Sequence, residues 1–171
     1  SPSSYRKLSA YVPQHDACLP LLTVSETFNF TADLLLPAAT KSQISAVLSA
    51  LLGELRLGHL SNTWCAKGLS GGEMRRVSIG LSLLHDPGIL ILDEPTSGLD
   101  SGSAFNVMQT LKSIAVSRHR TVVLSIHQPS FKILSTIDKI LSLSKGRVLH
   151  HGNLSLQTHL SSNGFIVPPQ L

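Results

Sequence analysis

Charge is scarce in this sequence. Of its 171 residues only 14% are Asp, Glu, Lys or Arg, and aromatic residues make up 5%, with a single Trp. Sparse charge beside 42% hydrophobic residues excludes a disordered tail and a charged coiled coil, which need low hydrophobicity or dense charge. A chain of this length can bury roughly 69% of its unfolded surface, enough for a real core. Cys18 and Cys65 are the only cysteines. They have no Cys-x-x-Cys spacing and make no disulfide framework, which favours a reducing compartment and packing thiols. No run approaches the ~18 apolar residues of a membrane-crossing helix. No apolar stretch of signal-peptide length follows the start, and residue 1 is not Met, so a chain beginning inside a longer protein is expected. The 12 glycines and 9 prolines follow no period, which excludes a collagen-like chain. None of those glycines precedes a lysine, so the phosphate-cradling pattern Gly-x-x-x-x-Gly-Lys-Ser/Thr is missing. The formal net charge is +4. That suits a partner carrying phosphates, but the cations are scattered and form no nucleic-acid stripe.

What is present reads as alternating strands and helices. Leu8–Val12 favours a strand that Pro13 stops. Thr23 and Glu26 have capping-box spacing and open a helix that Pro37 ends. Ser42 is expected to cap a second helix, whose stripe is Ile44, Val47, Leu48, Leu51, Leu52 and Leu55. Gly58 is expected to end it. Residues 15–68 thus read as helical. Gly71 opens another helix running to about Leu84, and Asp86-Pro87-Gly88 is a turn. Ile89–Leu92 is a continuous apolar run, which predicts a strand buried on both faces. Ala104, Val107, Met108, Leu111, Ile114 and Ala115 have helical spacing, and Thr121–Ile126 reads as a second buried strand. Strand–helix–strand of this length predicts a parallel sheet. Strands at Ile137–Leu143 and Arg147–His151 and a short helix near Leu154–Ser162 complete the pattern.

Four short motifs can carry chemistry. Asp93 and Glu94 end a strand at the edge where open α/β sheets bind ligands. Asp93 suits Mg²⁺, and Glu94, turned to the other side by strand alternation, can polarise a water. Leu69-Ser70-Gly71-Gly72-Glu73 leaves backbone amides open to an anion at a helix start, and Ser70 with Glu73 also has capping-box spacing. Gln14 offers an amide just past a strand. His127 stands at the end of Thr121–Ile126. Bland alternatives remain for each alone: a solvated turn, a cap, a surface Gln and a structural histidine. Trp64 reads as a hydrophobic anchor and Arg118-His119-Arg120 as a solvated turn.

The order of these motifs resembles the nucleotide-binding domain of ATP-binding cassette (ABC) proteins. Gln14 matches the Q-loop, Leu69–Glu73 the signature motif, and Asp93-Glu94 the Walker B pair with its glutamate. Ser97-Gly98-Leu99-Asp100 matches the D-loop and His127 the switch histidine. Tyr11–Asp16, Leu69–Gly80 and Ile126–Ser130 resemble subfamily G, the white–brown-complex half-transporters, and the tail with Gly164-Phe165 and Pro168-Pro169 looks most like plant members. The resemblance spans Tyr11 to about Gly152. It implies a P-loop NTPase-type α/β core, here incomplete, with an α-helical subdomain inserted. Residues 15–85 would be the helical and signature part, and 5–14 with 86–171 part of the core. Because the phosphate loop lies upstream of the Q-loop in the family, the chain is expected to be the C-terminal part of such a domain.

The resemblance further implies ATP and Mg²⁺ as ligands and a second nucleotide-binding domain as partner. Glu94 and His127 would be catalytic. Gln14, Ser70, Gly71, Gly72 and Asp100 would contact nucleotide, with Asp100 coupling two sites across the dimer. Gln14 and Asp93 would meet the metal. The whole protein would drive export at the cytoplasmic face of a membrane, the plasma membrane by preference, through a transmembrane domain absent from this chain. No nucleic-acid partner is expected. A soluble ABC ATPase acting on nucleic acid or ribosomes shares these motifs, and so does a non-catalytic dimerising fragment. The substrate is not readable from these residues.

Overall fold

A computed structural model describes residues 8–16 and 18–153. Two compact units divide the chain, Ser1–Pro129 and Ser130–Leu171. The expected helix near Leu154–Ser162 lies outside the described residues.

In the first unit, β1 (Ser9–Val12), β2 (Ile89–Leu92) and β3 (Thr121–Leu124) form a parallel sheet in that order. The register sets Val12 beside Leu92 and Leu92 beside Leu124. The α/β class and the parallel pairing are as expected, although β3 ends two residues short of Ile126. Alternation then sorts the side chains. Ala10, Val12, Leu90 and Leu92 are buried, with α3 (Gly71–Leu83) against β1 and α4 (Ser101–Ser117) against β3. The other face stays open: Tyr11, Ile91 and Val123, partners in register, are 58%, 40% and 51% exposed. Ile89–Leu92 is therefore covered on one face and not on both. Nor is β3 fully buried: it is the edge of the three-stranded sheet, unpaired on its outer side by any strand among the described residues.

The first three helices start where reciprocal caps satisfy their first amides. The Thr23 hydroxyl accepts from the Glu26 amide and Glu26 reaches back to the Thr23 amide at 2.8 Å, opening α1 (Val24–Leu35). Thr40, not Ser42, caps α2 (Lys41–Glu54). Only Thr40 has a capping-box partner three residues on, Gln43, which accepts from the Thr40 amide at 2.8 Å. The helix closes before Arg56, which takes φ 55°. Gly58 instead opens a 3-10 turn, Gly58–Leu60. Of the predicted stripe, Ile44, Leu48, Leu51, Leu52 and Leu55 are buried and Val47 stays 42% exposed at its margin.

α3 is the central element, touching β1, α1 and α4. Its Gly80 permits the closest approach. A Cβ there would lie 2.6 Å from Phe28 Cζ and would also strike Leu55, both wholly buried. The expected solvated turn at Arg118–Arg120 is an ion-pair centre instead. Arg118 grips Glu54 with N–H groups at 2.8 and 2.9 Å, and Arg120 pairs with Asp86 and donates to the Pro87 carbonyl at 2.7 Å. The end of α4 is thus tied to the end of α2 and to the turn before β2. Trp64 is no buried anchor: it is 55% exposed and its backbone bridges Thr23 and Lys67.

The second unit holds α5 (Phe131–Leu134), capped by Ser130, and an antiparallel hairpin of β4 (Lys139–Ser144) and β5 (Arg147–Asn153). Lys145 and Gly146 turn it with φ of 47° and 74°, the paired positive values of a type I′ turn.

Candidate functional site

Three parallel strands that end level bring the residues just beyond them to one edge of the sheet. Asp93 and Glu94 follow β2, Gln14 follows β1, and Ser125 and His127 follow β3. The Asp93 amide continues the ladder by donating to the Val12 carbonyl at 3.0 Å, and the Ser125 amide donates to Leu92 at 3.0 Å. Ser125 then bridges the Asp93 carboxylate and the Glu94 backbone. Its hydroxyl donates to Asp93 Oδ1 at 2.7 Å and accepts from the Glu94 amide at 2.9 Å. Tyr11 adds a second hydroxyl to Asp93 Oδ2 at 3.3 Å. The Tyr11 phenol is pushed above its ordinary value, first by desolvation and then by the Asp93 charge and hydrogen bond.

Glu94 is not aimed by strand alternation. It lies past the strand with φ at 43°, a left-handed conformation uncommon outside glycine. Gln128, next to His127, is likewise at φ 47°. Backbone of this kind clusters at functional loops because neighbouring contacts must hold it. The Gln14 side-chain amide donates to Glu94 Oε2 and to Ser97 Oγ, each at 3.2 Å. Glu94, Thr96, Ser97, Gly98 and His127 line a cavity of about 240 Å³. Of the residues named from sequence, the structure therefore gathers Gln14, Asp93, Glu94 and His127 at one sheet edge.

The remaining four lie together in a second place. Ser70 caps α3: its hydroxyl donates to Glu73 Oε2 at 2.8 Å and accepts from the Glu73 amide at 3.4 Å. The Glu73 carboxyl is held below the ordinary range chiefly by the Ser70 amide. Asp100 caps α4, accepting from the Gly102 and Ser103 amides at 2.9 and 3.0 Å. Its carboxyl is lowered, most of all by the Ser103 hydroxyl. The two helix starts are neighbours, for a Cβ on Gly71 would lie 2.9 Å from Leu99 and one on Gly72 would lie 3.1 Å from Ser103. The cavity lined by Glu94 and His127 does not include them.

Sequence reasoning missed Ser125, Ser97 and Arg75. A serine directly after the apolar run of β3 was the signal for Ser125. Arg75 lies on the buried stripe Gly72, Arg75, Ile79 and Leu83 of α3, where a cation needs a partner.

Oxygen is the donor type at the strand ends. The Asp93 carboxylate and the Gln14 amide oxygen suit a hard cation, and Mg²⁺ keeps waters and takes phosphate oxygens for its other positions. Among the described residues no group of three or more His, Cys, Asp or Glu could hold a metal by itself. By donor chemistry the pair suits Mg²⁺ as part of a ligand set.

Comparison with known proteins identifies the family. A family model described as ABC transporter matches residues 1–97. ABC transporter G family member 8 of Arabidopsis thaliana is 69% identical over 172 residues, covering 100% of this chain and 29% of that protein. ABC transporter G family member 4 of Arabidopsis thaliana is 66% identical over 172 residues, covering 100% of the chain and 30% of that relative. ABC transporter G family member STR of Medicago truncatula is 44% identical over 173 residues, at 97% and 21% coverage. The chain belongs to the ABC transporter family, as a nucleotide-binding domain of subfamily G with an incomplete P-loop NTPase-type fold. It spans less than a third of the length of these curated relatives. No helix among the described residues is long and apolar enough to cross a membrane.

Proposed function

We propose that this chain is the C-terminal part of an ATP-hydrolysing motor domain in a subfamily G transporter. ATP turnover would drive export through a transmembrane domain at the cytoplasmic face of a membrane. Residues 15–85 form the helical and signature part in this reading, and 5–14 with 86–171 belong to the core. The observation that carries it is the convergence of Gln14, Asp93, Glu94 and His127 at the ends of three parallel strands, with the Gln14 amide on the Glu94 carboxylate. Glu94 orients the attacking water and accepts its proton. His127, on the same cavity, donates to a terminal phosphate oxygen. Asp93 and Gln14 would hold Mg²⁺, which would supply charge to neutralise the phosphates. Ser70, Gly71 and Gly72 offer the start of α3 to nucleotide held by a second such domain, and Asp100 couples the two sites.

The 171-residue chain supplies carboxylates, which repel a triphosphate, and has no Gly-x-x-x-x-Gly-Lys-Ser/Thr sequence to cradle one. By itself it is expected not to turn over ATP. In the full-length protein, Glu94→Gln keeps the volume and removes the base. It is expected to leave ATP binding within about twofold and to cut turnover by at least about 100-fold. Full turnover in Glu94→Gln would overturn the reading.

A further inference from the structure

We infer that Arg75 is the positioning residue that holds Gln14 against Glu94 and links that setting to the helix that begins at Ser70. The inference rests on the ATPase reading above and deepens it.

Arg75 is 4% exposed on a helix whose own start is capped by Ser70. Its guanidinium leaves α3 and reaches the segment after β1. Nη1 donates to the Pro13 carbonyl at 2.9 Å, and Nη2 donates to the Gln14 carbonyl. Nη1 also lies 3.2 Å from Asp16 Oδ1, whose side chain is 25% exposed. Ser78, one turn further along α3, donates to the same oxygen at 3.1 Å. Two side chains of one helix thus fix three successive features of the loop: the Pro13 carbonyl, the Gln14 carbonyl and the Asp16 carboxylate.

Stability alone does not account for this arrangement. A buried ion pair is weak evidence for stability, because desolvation offsets attraction. Arg75 Nε, moreover, is buried without a hydrogen-bond partner among the described residues. What the guanidinium does achieve is geometric. With two carbonyls held, the Gln14 backbone cannot rotate freely, and its amide stays on Glu94 and Ser97. A planar fork can meet two carbonyls and a carboxylate at once, whereas an ammonium is a single point.

One helix and two contacts join the two places: Ser70 and Arg75 share α3, Arg75 holds Gln14, and Gln14 meets Glu94. In the proposed dimer, Ser70 faces nucleotide held by the partner domain and Glu94 faces nucleotide held by its own. Arg75 is therefore placed to let engagement of one site set the catalytic geometry of the other.

The test is a double-mutant cycle in the full-length protein. ATP hydrolysis is measured for wild type, Gln14→Ala, Arg75→Met and the double variant, with Glu94→Gln as control and a thermal unfolding midpoint for each. Arg75→Met and Gln14→Ala should each lower kcat by about tenfold with KM for ATP within about twofold. The double variant should lose no more than the worse single, because Arg75 acts through Gln14. Arg75→Lys should recover only part of the rate. If Arg75→Met does not fold, Asp16→Asn carries the same cycle, with an expected loss of several-fold in wild type and none in Gln14→Ala. Losses that multiply in the double variant overturn the positioning role, as do wild-type rates in both Arg75→Lys and Asp16→Asn. Turnover that survives Glu94→Gln is a different result: it defeats the ATPase reading, and this inference with it.

Discussion

Single side chains in this chain serve neighbours far away in sequence. Cys18 and Cys65 are 47 positions apart in sequence by their numbers, yet the fold brings their thiols together beside Thr27, whose hydroxyl lies 3.5 Å from Cys65 Sγ. Burial, then the Cys65 contact, pushes the Cys18 thiol up to about 12. At pH 8 almost none of it is thiolate, and the thiolate is the nucleophile. Alkylation of Cys18 by iodoacetamide in native protein should therefore be at least about tenfold slower than in urea-unfolded chain at pH 8, read by mass spectrometry of the Cys18 peptide. Equal rates in the two states would contradict the raised Cys18 thiol. Ser125 shows the same economy of contact: one hydroxyl holds the Asp93 carboxylate and the Glu94 backbone amide.

Helix α3 is the element on which most of the first unit depends. It must pass close to Phe28 and Leu55, and Gly80 is where it does so. Gly80→Ala inserts a methyl into a filled core, where overpacking costs about 1–3 kcal/mol. The expected outcome is a lower unfolding midpoint, measured by circular dichroism, despite alanine's better helix propensity. A higher midpoint would mean that α1 and α2 yield easily. The start of α3 has its own pH signature. Glu73 is lowered in the folded state, so its contribution is fully present above the unfolded glutamate value of about 4.3. It is lost as pH falls through the depressed folded value. Glu73→Gln should flatten the loss of stability between about pH 5 and pH 2 relative to wild type. An unchanged acid limb in denaturant titrations would show that the cap does not depend on charge.

At the scale of the whole molecule, the open face of the sheet dominates. Tyr11, Ile89, Ile91 and Val123 are all at least 40% exposed on adjacent strands. A contiguous apolar patch of this kind drives association, and β3 adds an edge that no strand among the described residues pairs. The 171-residue chain should self-associate in the micromolar range, an order-of-magnitude expectation for a small apolar patch. Ile91→Thr with Val123→Thr, which keeps β-branching, should weaken that association in sedimentation velocity. A monodisperse wild-type chain would show that the patch is masked.

How much of this was legible in the sequence depends on the range of the interaction. The capping boxes at Thr23 and Ser70, the stripe of α2, the apolar run Ile89–Leu92 and the order of the motifs are written in spacings of a few residues, so local pattern sufficed. Two local patterns competed at Thr40 and Ser42, and the one with a reciprocal partner prevailed. The turn at Glu94 was not legible, because a positive φ in a non-glycine residue is imposed by contacts that β1 and β3 supply. The Arg118–Glu54 and Arg120–Asp86 pairs were hidden for the same reason: helix ends meet only after packing.

The sequence by itself determined the class of fold, the helix starts and which residue types stand at the strand ends, since hydrophobic period, caps and motif order are properties of the chain. Only tertiary structure decided that Tyr11 meets Asp93, that Gln14 meets Glu94, and that Arg75 holds the loop between them. Each of these contacts joins segments more than 60 positions apart in sequence. The parallel sheet and the packing of α3 against β1 fix their separation, and no local preference does.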